Sequence, residues 1–264
     1  MRKPKLVASD LDGTLLLNGT QSLGPEACGL IHRLHENGIL FLAASGRQYC
    51  NLQKLFAPVK DEIAYLCDNG CRSYYQGCML SHERMDRALG DEIISAVMGA
   101  PGCEILISGN DQSYTKPKNP EYFRMLRDFI GMNTVSIADI HAVPEPYMKI
   151  SLFADDVLSQ QEYWKKKFGG RCTVVTSGNQ WLDMMPQGVD KGFCLQKMLQ
   201  ELDIPAQDVI AFGDNENDRE MLALAGCPVV MDTAVPSVRN LGRYHTDTVE
   251  HALARILDGP GYDW

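Results

Sequence analysis

Long apolar runs, an excess of basic residues and paired-cysteine motifs are all missing from this sequence. The longest apolar stretches, such as residues 39–44, have the length of a strand, so none is expected to span a membrane. Lys and Arg number 25 against 34 Asp and Glu, a net charge of −9, which argues against the basic face of a nucleic-acid binder. The acidity reads as a solvated surface. It leaves a phosphorylated small substrate open, because a few local cations or one metal ion outweigh the global sign. None of the nine cysteines forms a CxxC pair, the closest being Cys67 and Cys71, and the six histidines have no zinc-type spacing. That pattern implies reduced thiols used as small hydrophobes in a reducing cytoplasm. The opening MRKPKLVASD has too short an apolar stretch for a signal peptide. Internal repeats, low-complexity segments and a Gly-Lys-Ser/Thr phosphate loop are also absent, the last arguing against a P-loop kinase.

What is present is an ordinary globular balance, 45% apolar and 22% charged over 264 residues, enough for one large domain or two moderate ones. Residues 5–9 are short and apolar and read as a buried strand ending at Asp10. Residues 25–37 place Ala27, Leu30, Ile31 and Leu34 on one helical face, with Pro25 near the start and Gly38 past the end. Residues 38–44 form a second strand before Ser45-Gly46-Arg47, residues 48–55 a helix, and 62–67 a third strand before Asp68-Asn69-Gly70. Such units with wholly apolar strands predict a parallel sheet covered on both faces.

The middle is patterned differently. Helices are expected near 85–98, 122–130 and 160–168, and strands over 104–108, 147–154, 171–177 and 180–185. Residues 147–154 alternate as a half-buried strand would, and Gly178-Asn179 reads as a hairpin turn. An α/β unit with a largely antiparallel, one-sided sheet fits this block. From Lys191 the first style returns, with a helix over 192–202, a strand over 208–212, a helix over 218–225, a strand over 228–231 and a closing helix over 251–257. The expected organisation is a Rossmann-like, doubly wound α/β core in residues 1–81 and 188–264, interrupted by an inserted α/β domain in 82–187. Ser81-His82 and Pro186-Gln187-Gly188 are the expected linkers.

Four polar clusters lie at the carboxyl end of a predicted strand or the start of the next helix: Asp10/Asp12, Ser45-Gly46-Arg47, Asp190-Lys191-Gly192 and the run 213–218. Open parallel sheets bind ligands at that edge, so these clusters are expected to converge. Asp10, Asp12, Asp214 and Asp218 crowded together cannot all stay ionised without a cation, and oxygen-only ligands suit Mg²⁺. Lys191 adds a compact positive charge, while Ser45 and the backbone N–H of Gly46 add anion donors. Together these form a phosphoryl-transfer constellation. Taken singly, each has a plain structural reading as a turn or a solvated helix residue. Residues 214–225 fail as an EF-hand, because Arg219 and Ala225 occupy the positions that need Gly and Glu. In an extended chain Asp10 and Asp12 would point to the same side and face one phosphoryl group.

The segments DLDGTLL (10–16), AASGR (43–47), DNG (68–70), GVDKG (188–192) and FGDNENDREML (212–222) resemble the haloacid dehalogenase superfamily of phosphatases, and within it the Cof-like sugar-phosphatase branch. The resemblance implies a Rossmann-like core with an inserted cap that closes over the site. It implies Asp10 as nucleophile, Asp12 as acid/base, and Asp10, Asp214 and the Asp12 backbone carbonyl as Mg²⁺ ligands. Ser45, Gly46, Arg47, Lys191 and Asn217 become the substrate-binding set, with Asp218 orienting Lys191 or metal-bound water and Thr14 steadying the loop. One departure stands out: relatives often carry Met-Gly-Asn-Ala where this chain has Met231-Asp232-Thr233-Ala234. The expected partner is a small phosphorylated metabolite, with hexose phosphates leading and pyridoxal phosphate, flavin mononucleotide and nucleotides as other classes. Tyr114, Lys116, Lys118, Asn179 and Trp181 are candidates for selecting it. The alternatives are a phosphomutase or other phosphotransferase, and a non-catalytic phosphometabolite-binding protein. Neither nucleic acid nor membrane is expected as a partner, and the sequence does not set the oligomeric state.

Overall fold

Residues 6–9, Leu-Val-Ala-Ser, form β1 (Leu6–Ser9), which is buried at every position. Successive strand side chains point to opposite faces, so Val7 enters one apolar core while Leu6 and Ala8 enter another. A strand buried on both faces must be apolar throughout, and this explains the uninterrupted run. The computed structural model describes residues 3–110 and 112–259.

In chain order the first elements are β1, α1 (Pro25–Glu36), β2 (Leu40–Ala44), α2 (Tyr49–Leu55), β3 (Ala64–Cys67), β4 (Arg72–Tyr75) and β5 (Cys78–His82). There follow α3 (Arg87–Gly99), β6 (Glu104–Ser108), β7 (Ser113–Thr115), α4 (Pro120–Arg124), β8 (Thr134–Ser136), β9 (Lys149–Phe153), α5 (Gln161–Phe168), β10 (Cys172–Thr176) and β11 (Trp181–Pro186). The last are α6 (Lys191–Glu201), β12 (Val209–Gly213), α7 (Arg219–Leu224), β13 (Cys227–Met231), α8 (Pro236–Arg239), β14 (Tyr244–Thr246) and α9 (Val249–Asp258).

These elements divide into two compact units, one from residues up to His82 and from Asp190 onward, the other from Glu83–Val189. The first holds an eight-stranded sheet in the order β14-β13-β12-β1-β2-β3-β4-β5. Strands β14 to β3 are parallel, and β4 and β5 add an antiparallel edge. Helices α1 and α9 supply apolar side chains to one face of the sheet, and α6 and α7 to the other. This is the doubly wound core expected above. The second unit holds a six-stranded sheet, β10-β11-β9-β6-β7-β8, antiparallel except for the β7–β8 pair. Its main core joins Ile105, Ile107, Ile150 and Leu152 to Ile93, Ile94 and Trp164. Among the described residues no helix is long and apolar enough to cross a membrane.

Several expectations need correction. Ser81-His82 is not a linker: both residues lie in β5, paired to β4 across the two-residue turn Gln76-Gly77. The helix expected over 122–130 is present, as α4 continued by a π-helical segment at Met125–Phe129. β9 is buried on both faces rather than half-buried, because Ser151 and Lys149 are spent on the Asp183 carboxylate. Tyr114 and Lys118 are likewise engaged within the second unit. Tyr114 donates to Glu145, and the Lys118 ammonium donates to the carbonyls of Val97 and Ala100.

Helix α6 links core packing to the polar edge. Asp190 caps it, accepting from the Phe193 N–H at 2.8 Å, and Leu195 and Leu199 anchor it in the core. Leu195→Ala should cost about 2–5 kcal/mol by leaving a cavity under this helix, measured as a lower urea midpoint at unchanged m-value.

Candidate active site

Five loops meet at one edge of the first unit's sheet. Asp10 follows β1, Ser45–Arg47 follow β2, Asp68–Gly70 follow β3, Asp214–Asp218 follow β12, and Asp190-Lys191 open α6. The chain does not stay extended past Asp10. Thr14 N–H bonds to Leu11 O and Leu16 N–H to Leu11 O, so residues 10–16 form a tight loop. Gly13 has φ +95°, and a Cβ there would lie 2.5 Å from Asp214 Oδ2. Glycine is therefore required both for the turn and for the approach of Asp214.

The turn separates the two aspartates. Asp10, Asp214 and Asp218 each offer an oxygen within 4.8 Å of the others, and Asp12 is not in that group. Lys191 Nζ donates to Asp10 Oδ1 at 2.5 Å and to Asp218 Oδ1 at 2.7 Å, and the ammonium is wholly buried. Asp218 Oδ2 accepts the backbone N–H groups of Asp214 and Asn215, both at 3.0 Å. Thr14 Oγ1 donates to Asp214 Oδ1 at 2.8 Å. Asp12 instead faces Arg47, whose Nε and Nη2 donate to its two oxygens at 3.0 and 2.5 Å. The chain is turned rather than extended between Asp10 and Asp12, and the loop gives the two carboxylates different cations.

Burial pushes the Asp10 carboxyl well up, with the neighbouring Asp218 adding to the effect and Lys191 opposing it. Burial and then Asp218 push Asp214 up to about 6. Lys191 is held protonated: burial works against its charge, and Asp10 and Asp218 outweigh burial. Three carboxylates thus share one ammonium, which leaves negative charge uncompensated. A hard cation with oxygen ligands fits that donor set.

The remaining predicted residues lie in the neighbouring loops. Ser45 Oγ accepts the Arg47 N–H at 3.2 Å. A Cβ on Gly46 would come 3.2 Å from the Asn69 carboxamide, and Asn217 Nδ2 donates to Asn69 Oδ1 at 3.1 Å.

A family model described as haloacid dehalogenase-like hydrolase matches residues 7–257 of the chain. The chain belongs to the haloacid dehalogenase-like hydrolases, in their Cof-like branch. The HMP-PP phosphatase of Cronobacter sakazakii is 28% identical, with 98% of each chain covered. The 5-amino-6-(5-phospho-D-ribitylamino)uracil phosphatase of Escherichia coli is 25% identical, with 91% of this chain and 89% of the relative covered. A solved structure from Streptococcus mutans superposes with a TM-score of 0.87 at 25% identity, covering 97% of this chain and all of the other.

In this haloacid dehalogenase-like hydrolase, the segment 231–234 runs beside the site. The next residue, Val235, donates its N–H to the Asp214 carbonyl at 2.9 Å. The Asp68-Asn69-Gly70 segment has no role among the site residues expected from the sequence. Asp68 and Asn69 both have left-handed backbone, φ +52° and +55°, and both are buried. Asn69 N–H bonds to Ser45 O and Asp68 N–H to Arg47 O, tying the third loop to the second. Arg72 Nε and Nη2 pair with Asp68 Oδ2 at 3.0 and 2.6 Å beneath them. The run Asp-Asn-Gly was the available signal, because these residues tolerate left-handed backbone best.

Asp214 binds its proton more tightly folded than at its ordinary value of 3.8. Its contribution to stability is therefore full below about pH 4 and is lost as pH rises through about 6. Asp214→Asn should raise the metal-free protein's Tm at pH 7.5 by about 2–4 °C, with a smaller gain at pH 4.5, read by calorimetry in EDTA.

Proposed function

We propose that this hydrolase is a Mg²⁺-dependent phosphatase of small phosphomonoesters that works through an aspartyl-phosphate on Asp10. The observation that carries the reading is the buried Asp10–Lys191–Asp218 chain beside Asp214. It supplies a fixed carboxylate, one cation and a cluster of carboxylate oxygens suited to a second. Asp10, Asp214 and the Asp12 backbone carbonyl would hold Mg²⁺, which when bound offsets the charge of the carboxylates and of the phosphoryl oxygens.

The chain's own residues perform the remaining work. Asp10 Oδ attacks phosphorus in line, forming an acyl phosphate as the ester oxygen leaves, which divides one difficult displacement into two easier ones. Asp12 gives a proton to the leaving oxygen and then takes one from the water that hydrolyses the acyl phosphate. Lys191 neutralises charge on the equatorial oxygens, while the Ser45 hydroxyl, the Gly46 N–H and the Asn217 carboxamide donate to them. Asp218 keeps Lys191 aimed, Thr14 holds Asp214, and Arg47 holds the Asp12 carboxylate.

The relatives named above as phosphatases of HMP-PP and of a phosphoribitylamino-uracil support a small phosphorylated metabolite as substrate, and sugar phosphates are the leading class. Nine cysteines, none of them in a disulfide, support a cytoplasmic setting.

Asp10→Asn should lower kcat on p-nitrophenyl phosphate by about a thousandfold or more while the melting curve stays cooperative; retained turnover would remove Asp10 from the nucleophile's place. EDTA should abolish phosphate release and Mg²⁺ restore it, with inorganic phosphate appearing in water without any acceptor sugar. Release that needs an acceptor sugar would instead indicate a phosphotransferase.

A further inference from the structure

The Asp12 carboxylate has a holder of its own, separate from the Lys191 cluster. We propose that Gln21 and Arg47 form a positioning relay that fixes Asp12 for proton transfer to the leaving group; this rests on the reading of Asp12 as the acid/base.

One planar guanidinium occupies both oxygens of Asp12. A fork of this kind sets the plane of a carboxylate as well as its distance, which an ammonium cannot do. The Arg47 backbone is pinned at both ends of its peptide unit. Its N–H donates to Ser45 Oγ at 3.2 Å, and its carbonyl accepts the Asp68 N–H at 3.0 Å. Its Nη2 also donates to Gln21 Oε1 at 2.9 Å. Gln21 in turn is oriented by its own loop, with Nε2 donating to the Gly19 carbonyl at 3.1 Å. That bond turns the carboxamide oxygen, rather than the nitrogen, towards Arg47. The side chains of Arg47 and Asp12 are 10% and 54% exposed, so the fork grips from beneath while the carboxylate is presented outward. Arg47 therefore acts through Asp12 and is a positioning residue rather than a phosphate ligand.

The role has a chemical signature. When the phosphorus–oxygen ester bond breaks, its electron pair stays on the leaving oxygen. An alkoxide then needs the proton that Asp12 supplies, whereas p-nitrophenolate leaves without one. Weakening the relay must penalise alkyl esters more than aryl esters.

The test compares kcat and KM of the Mg²⁺-loaded enzyme over a series of aryl and alkyl phosphates of rising leaving-group pKa. Arg47→Lys should lose roughly tenfold more kcat/KM on the alkyl than on the aryl esters, mainly in kcat. Gln21→Ala should shift the ratio the same way by about threefold. In an Asp12→Asn background, Arg47→Lys should change the ratio by no more than about twofold, because the residue it positions is gone. Equal loss on every ester, seen as a rise in KM, or full additivity with Asp12→Asn would overturn the relay. If Arg47→Lys fails to fold, the Gln21→Ala series decides by the same criteria. A wild-type enzyme inactive on the whole series would overturn the phosphatase reading itself, and the relay with it.

Discussion

A lysine ammonium buried between two carboxylates is the contact around which the rest of this molecule is arranged. Lys191 reaches Asp10 at the end of β1 and Asp218 at the start of α7 from the first turn of α6. Burying that charge unpaired would be costly, so both partners must be present and correctly placed. Their placement explains much of the surrounding detail. Asp218 is held by two backbone N–H groups, and a Cβ on Gly213 would strike it. Gly70, at φ +107°, closes directly on the Asp190 carbonyl, so the loop after β3 packs against the turn that starts α6. Lys191 is thereby fixed by a cap, a core helix and a neighbouring loop at once.

The second constraint is the separation of Asp10 from Asp12. Two carboxylates two residues apart would repel, and the loop at Gly13 resolves this by giving each its own cation. The same division gives them different chemistry. Asp10 is buried among carboxylates and an ammonium; Asp12 is partly exposed and forked by a guanidinium. Two identical side chains two positions apart are thus given different environments, which is what the proposed division into nucleophile and acid/base requires.

Much of the core was legible in the sequence because parallel strands buried on both faces must be apolar along their length. β1, β2, β3, β12 and β13 therefore stood out. β4 and β5 were less visible: Arg72, Ser73 and His82 break the apolar pattern, and β5 is only partly buried. The Gln76-Gly77 turn, with positive φ at both residues, was the signal that could have marked them. β7, β8 and β14 are three residues each, too short for periodicity to register. Most of the candidate site was legible because its motifs sit at strand ends. Asn69 was not assigned a role, because its function is to bridge loops, and a bridge is a property of two chain segments.

The sequence by itself determined the residue types of the site and their position at the carboxyl edge of a parallel sheet. Short-range chemistry suffices for this: apolar strands, helix caps and a glycine where the backbone must turn. Which carboxylate meets which cation was decided only by the tertiary structure. Asp10 with Lys191 is separated by 181 residues, Thr14 with Asp214 by 200, and Arg47 with Asp12 by 35. Pairings over such distances depend on the order in which strands are laid into the sheet, and no local pattern encodes the angle at which two loops finally meet.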